Sequence, residues 1–126
     1  MPVFVAVALG GAAGSLARYS LDRLIERRSF AVFPWSTFTI NVSGCLLIGV
    51  LTAAIVDRHH TPAWLRLGLV MGFVGGYTTF STFAQETLDL TEEGHLTTAM
   101  LYSLGSLALG VAAVYIGMRI GRTICH

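Results

Sequence analysis

The sequence predicts an all-α integral membrane protein with four transmembrane helices, and three observations carry the prediction. Hydrophobic residues make up 54% of the 126-residue chain and charged ones 12%, against about 25% charged in an ordinary soluble domain. The apolar residues gather into four windows, at about 2–21, 33–56, 65–88 and 97–120. Each meets the roughly 20 residues that a helix needs to cross a hydrocarbon core of ~30 Å. The connections 22–32, 57–64 and 89–96 are short and polar, so the chain reads as one domain, 1–126, with no extramembrane part to hold an active site.

Composition also excludes functions. All 8 basic residues are arginine, and a net charge of +1 offers no basic patch for nucleic acid. Cys45 falls inside an apolar window and Cys125 beyond the last one, which suggests neither a disulfide scaffold nor a metal site. No nucleophile/base pair stands out, so the chain is not read as an enzyme. The first window lacks a preceding basic residue and is too long for a signal-peptide core, so it is expected to be retained.

In the first window, the Gly10/Gly14 spacing lets a neighbouring backbone approach closely. Arg18-Tyr19 is expected to close this helix at the interface, where arginine snorkels and tyrosine anchors. The second window opens Pro34-Trp35-Ser36-Thr37, a suitable interfacial start. Its Asn41 either cross-links helices or offers its NH2 to a polar cavity.

The third window holds the stretch that organises the rest, Met71 to Phe83. Two adjacent glycines, Gly75 and Gly76, cost about 1 kcal/mol each relative to alanine in a helix and make an unwound backbone cheap, so a break is expected there. Backbone freed at membrane depth is tolerated only where it is buried in protein or lines a polar cavity. Phe80 and Phe83 follow, three residues apart, among Thr79, Ser81 and Thr82. We read this as a site for a small ion. Glu86 is expected near the interface, although a helix running on would align it with Thr79 and Thr82. The fourth window sets Tyr102, Ser106 and Gly110 at four-residue steps, with Ser103 alongside.

Four arginines lie near each side of the membrane, so no bias sets the orientation and insertion in both directions is expected. Both orientations together allow an antiparallel homodimer, which four thin helices need if they are to enclose a polar path. A two-fold axis in the membrane plane would bring the two Gly75-Gly76 breaks together, carbonyls facing, with a cation between them. Because no acidic residue falls within the interior of a window, a proton-coupled exporter is disfavoured. The interior instead offers hydrogen-bond donors and aromatic ring edges, which carry the positive end of the ring quadrupole and suit a small anion.

Gly10-Gly11-Ala12-Ala13-Gly14-Ser15-Leu16-Ala17-Arg18-Tyr19, Thr37-Phe38-Thr39-Ile40-Asn41-Val42-Ser43-Gly44 and Gly72-Phe73-Val74-Gly75-Gly76-Tyr77-Thr78-Thr79-Phe80-Ser81-Thr82-Phe83 resemble the three signature blocks of the Fluc (CrcB) fluoride channels. The resemblance implies an antiparallel, dual-topology homodimer with a broken third helix, two fluoride pathways and a central sodium ion held by the backbone carbonyls of Gly75 and Thr78. It implies that Phe80 and Phe83 form an aromatic box around fluoride and that Asn41 donates to the ion. Ser81 and Thr82 belong to the same motif. Tyr102 and Ser106 resemble a polar track, Glu86 its continuation, and Arg18 a vestibule arginine. Gly110 stands where a hydroxyl often continues the track, and is left out of the site. The implied role is passive fluoride export across the cell membrane, conferring fluoride resistance. The rival readings are a small multidrug-type exporter, whose membrane-embedded glutamate is missing here, and an assembly subunit of a larger membrane complex.

Overall fold

Prolines set where the first two helices begin. Proline has no N–H and holds φ near the helical value, so it suits the position ahead of a first turn. Helix α1 spans Val3–Glu26 behind Pro2, and α2 spans Trp35–Leu51 behind Pro34. The computed structural model describes residues 1–58 and 60–125; His59 and His126, which the sequence places outside the spans, lie outside the described residues. Beyond Leu51, α2 widens into a π-helix, Thr52–Val56, in which the Asp57 N–H reaches the Thr52 carbonyl at 3.0 Å.

The third span is a composite. Helix α3, Ala63–Leu67, passes into a π-helix, Gly68–Val74, and then into the turn α4, Gly75–Tyr77. Thr78 and Thr79 are extended, with ψ of 158° and 117°, and helix α5 resumes over Phe80–Glu92. The break expected at Gly75-Gly76 is corrected by these positions: Gly75 is helical, with φ −61° and ψ −38°. The glycines serve packing instead, since a Cβ on Gly76 would fall 2.6 Å from the Gly11 carbonyl oxygen.

Helix α6, Leu96–Ile124, completes, among the described residues, four helical spans long and apolar enough to cross a membrane. They exceed the apolar windows at several ends. Helix α1 continues past Arg18-Tyr19 to Glu26 because Asp22-Arg23-Leu24-Ile25-Glu26 keeps its helical bonding among polar side chains, whereas an apolar window reports only hydrocarbon depth. Between α5 and α6 the chain reverses at Gly94, whose φ of 86° favours glycine. The His95 N–H reaches back to the Leu90 carbonyl at 2.8 Å and the Gly94 N–H to Thr91 at 3.2 Å, which ends α5 in a Schellman motif.

Two helix pairs form the frame. Helix α1 lies on the first half of the third span, with Gly10 against the Gly68 carbonyl and Gly14 against that of Phe73. Helices α2 and α6 pack through Gly49 and Gly117, each facing a carbonyl of the other helix. Helix α5 folds back on α6, where Leu90, Ala99 and Tyr102 form a small core with Phe33, Phe38 and Phe83. Only 11–22% of each span's most apolar window is buried within the chain, so most of the apolar surface faces outward. The protein is a multi-pass membrane protein.

Candidate functional site

Two extended residues inside a helical span leave backbone polar groups that need partners. Thr79 finds them on α2. Its N–H, which an uninterrupted helix would give to the Gly75 carbonyl, donates to Asn41 Oδ1 at 2.8 Å, and Asn41 Nδ2 donates to the Thr79 carbonyl at 2.9 Å. Because a backbone N–H only donates, this pairing decides which end of the carboxamide is oxygen. Asn41 is thus a cross-link between spans, with the second N–H of its amide left over. Thr79 also caps α5: its Oγ1 accepts from the Thr82 N–H at 3.3 Å and its hydroxyl donates to Thr82 Oγ1 at 3.0 Å. Thr78 directs both its N–H and its hydroxyl to the Val74 carbonyl, at 3.0 and 2.9 Å. The Gly75 carbonyl is therefore deprived of its helical donor.

Beside this clamp runs a groove of about 340 Å³, whose walls include Asn41, Thr79, Phe80, Phe83, Cys45 and Ser106. The Phe80 and Phe83 rings are neighbours, centroids 5.9 Å apart and tilted by 46°. Phe83 is half-buried and meets Tyr102 edge-on at 5.0 Å, while Phe80 is 79% exposed at the rim. Ser106 Oγ is buried and has no hydrogen-bond partner among the described residues. The groove is otherwise apolar, so a small ion entering it would meet a few donors and ring edges and little else.

Glu86, expected near the interface, lines neither this groove nor the recess beside Arg18, and is engaged by hydroxyls from two other helices. Thr37 Oγ1 donates to its Oε1 at 2.8 Å and the Tyr102 hydroxyl to its Oε2 at 2.7 Å. Tyr102 is wholly buried and Thr37 nearly so, so each carboxylate oxygen is held by a hydroxyl that has no access to bulk water.

The other candidate residues divide between two places. Arg18 lines a separate recess of about 280 Å³ with Ser15, Tyr19, Asp22, Thr79 and Thr82. Thr79 borders both cavities, so the interruption is the wall between them. Ser81 is exposed on α5 and is not part of either lining. Asp22 accepts a hydrogen bond from Ser36, tying α1 to the start of α2.

Two residues of this region were not among the sequence candidates, Cys45 in the groove lining and Thr37 beside Glu86. The signal for both was spacing: Thr37, Asn41 and Cys45 stand at four-residue steps on α2, as Tyr102, Ser106 and Gly110 do on α6. The stripes face each other in order. Thr37 and Tyr102 share Glu86, Asn41 and Ser106 flank the groove, and Cys45 Sγ lies 3.3 Å from where a Gly110 Cβ would stand.

Among the described residues no three of histidine, cysteine, aspartate and glutamate gather as a metal site. The interruption itself adds neutral oxygen, its backbone carbonyls.

Residues 5–118 match the family model described as CrcB-like protein, Camphor Resistance (CrcB). The chain is 52% identical over 120 residues to the fluoride-specific ion channel FluC of Acidobacterium capsulatum, covering 94% of each. It is 44% identical to that of Solibacter usitatus, over 94% of this chain and 98% of the relative. Against the channel of Nitrobacter winogradskyi the identity is also 44%, over 95% of each.

Proposed function

Since the chain belongs to the CrcB family, we infer that it is a fluoride-specific ion channel, passing the ion out of the cell and conferring fluoride resistance. The observation that carries the reading is the groove: donors at Asn41 and Ser106 and the rings of Phe80 and Phe83 line one apolar cleft. Fluoride is small and binds hydrogen-bond donors strongly. In this cleft it would exchange water for the free Asn41 N–H, the Ser106 hydroxyl and the edges of the two rings, with the hydroxyls of Tyr102 and Thr82 continuing the path outside it. Larger halides bind donors less tightly and are too wide for a narrow path. Arg18 draws the anion toward the recess that it lines. A passive path of this kind needs no catalytic group, and the protein is not an enzyme.

The working unit is an antiparallel homodimer in the cell membrane. The high exposure of Phe80 supports it, because a second copy is needed to close the groove against lipid. The equal arginine counts support both orientations. In that dimer the third helix acts as a broken helix, and the carbonyls of Gly75 and Thr78 would hold a sodium ion at the centre. The fit rests on the Gly75 carbonyl having lost its Thr79 donor to Asn41. Such an ion supplies charge compensation between carbonyls that would otherwise repel.

Liposomes containing only this purified chain test the reading, with fluoride efflux followed at an electrode and chloride as the alternative permeant ion. Rapid fluoride efflux with a potassium ionophore, and no chloride flux, is the expected result. An assembled protein that passes neither ion would overturn it and favour an assembly subunit.

A further inference from the structure

The two facing stripes on α2 and α6 do not end alike. Their first level, Thr37 and Tyr102, and their second, Asn41 and Ser106, set a polar side chain on both helices. At the third level α6 presents Gly110, which is buried and has nothing to offer an ion. Across from it stands Cys45, whose Sγ would lie 3.3 Å from a Cβ on Gly110, so one helix supplies the side chain for a space that both helices border. The same thiol lines the groove with Ser106, whose buried oxygen has no hydrogen-bond partner among the described residues.

We propose that the Cys45 thiol is a positioning residue of the ion path, taking from α2 the place that Gly110 leaves empty on α6. The proposal rests on the fluoride-channel reading. Its chemistry is modest but suitable: a thiol is a weak hydrogen-bond donor and a polarisable group, and it shares the cleft with the aliphatic Ile48, Val74 and Leu107. It extends the polar stripe of α2 by one helical turn beyond Asn41. No covalent step is involved, and the thiol remains reduced.

The alternative is that Cys45 merely fills volume between α2 and α6. Three variants separate the two roles, each reconstituted alone and checked for an elution profile matching the parent. Cys45→Ala removes the donor and leaves space. Cys45→Ser restores a donor in a slightly smaller group. Cys45→Ala combined with Gly110→Ser moves a hydroxyl to the opposite helix, into the space the thiol vacated. We expect fluoride efflux to fall about tenfold in Cys45→Ala, the scale of one hydrogen bond to an ion. Efflux should stay within about twofold of the parent in Cys45→Ser and recover at least in part in the double variant. Thermal stability measured in parallel supplies the contrast, because a volume-filling role would make the two single variants track their melting temperatures and not their donors. Parent-like flux in Cys45→Ala, or equal losses in Cys45→Ala and Cys45→Ser, overturns the proposal while leaving the channel intact. A parent protein that passes no fluoride overturns the functional reading itself.

Discussion

Asn41 and Thr79 pair as two peptide groups do in a sheet: the carboxamide donates to the Thr79 carbonyl at 2.9 Å and accepts from its N–H at 2.8 Å. One side chain thereby satisfies both polar groups of an extended residue at membrane depth, where an unpaired group costs several kcal/mol.

Replacing Asn41 by leucine should therefore remove function and also loosen the third span. Interhelical hydrogen bonds in membranes contribute about 0.5–2 kcal/mol each, so a loss of ~1–3 kcal/mol is expected. Thermal denaturation in detergent, read by loss of the assembled species, measures it. Asn41→Asp keeps the acceptor for the Thr79 N–H and should recover part of the stability without the flux.

Phe80 and Phe83 should separate differently. With Phe80 79% exposed, Phe80→Ile should leave the chain's own packing almost unchanged and reduce fluoride efflux at least tenfold, about 1.4 kcal/mol of barrier. Phe83→Ile also loses an edge-on contact with Tyr102 and should cost an additional ~0.5–1.5 kcal/mol of stability. Normal efflux in both variants would discard the aromatic walls as part of the path.

The Tyr102 hydroxyl holds one oxygen of Glu86. Tyr102→Phe leaves that oxygen without its donor in a part-buried setting, at a cost of about 1 kcal/mol. In Tyr102→Phe/Glu86→Gln the unpaired group is neutral and part of the loss should return. A double-mutant cycle on melting temperature and on efflux checks the coupling, and strictly additive effects would disprove it.

Two glycines predict opposite signs. A Cβ on Gly105 meets nothing within 4 Å, so Gly105→Ala should stabilise α6 by up to ~1 kcal/mol through helix propensity. A Cβ on Gly76 would stand 2.6 Å from the Gly11 carbonyl, so Gly76→Ala should push α1 from the third span and lower the melting temperature.

How much of this the sequence disclosed follows from what each feature depends on. The four spans depend on apolar content, which is additive along the chain, and they emerge close to 2–21, 33–56, 65–88 and 97–120. Their ends do not, because Asp22 to Glu26 and Asp89 to Glu92 continue helices that hydropathy cannot follow. The non-helical residues lie at Thr78 and Thr79 and not at Gly75-Gly76, since a glycine pair signals either a flexible backbone or a close contact. Only the position of Gly11 decides between them. Asn41 was visible as an oddity, but its partner is backbone, which carries no residue signature. Thr37 and Cys45 were legible by their spacing from Asn41 and were overlooked beside the more conspicuous amide. Glu86 looked terminal because its two hydroxyl partners sit 49 and 16 residues away.

The contacts of Gly10, Gly14, Gly49 and Gly117 set backbone against backbone between helices that already satisfy their own peptide groups. In lipid each helix is stable by itself, so heat or denaturant first separates helices and only later uncoils them. Far-ultraviolet circular dichroism would then remain nearly native while the protein had lost its groove. A sample judged sound by its helical spectrum can be functionally dead, and a cross-link between α2 and α6 is the better gauge of its integrity.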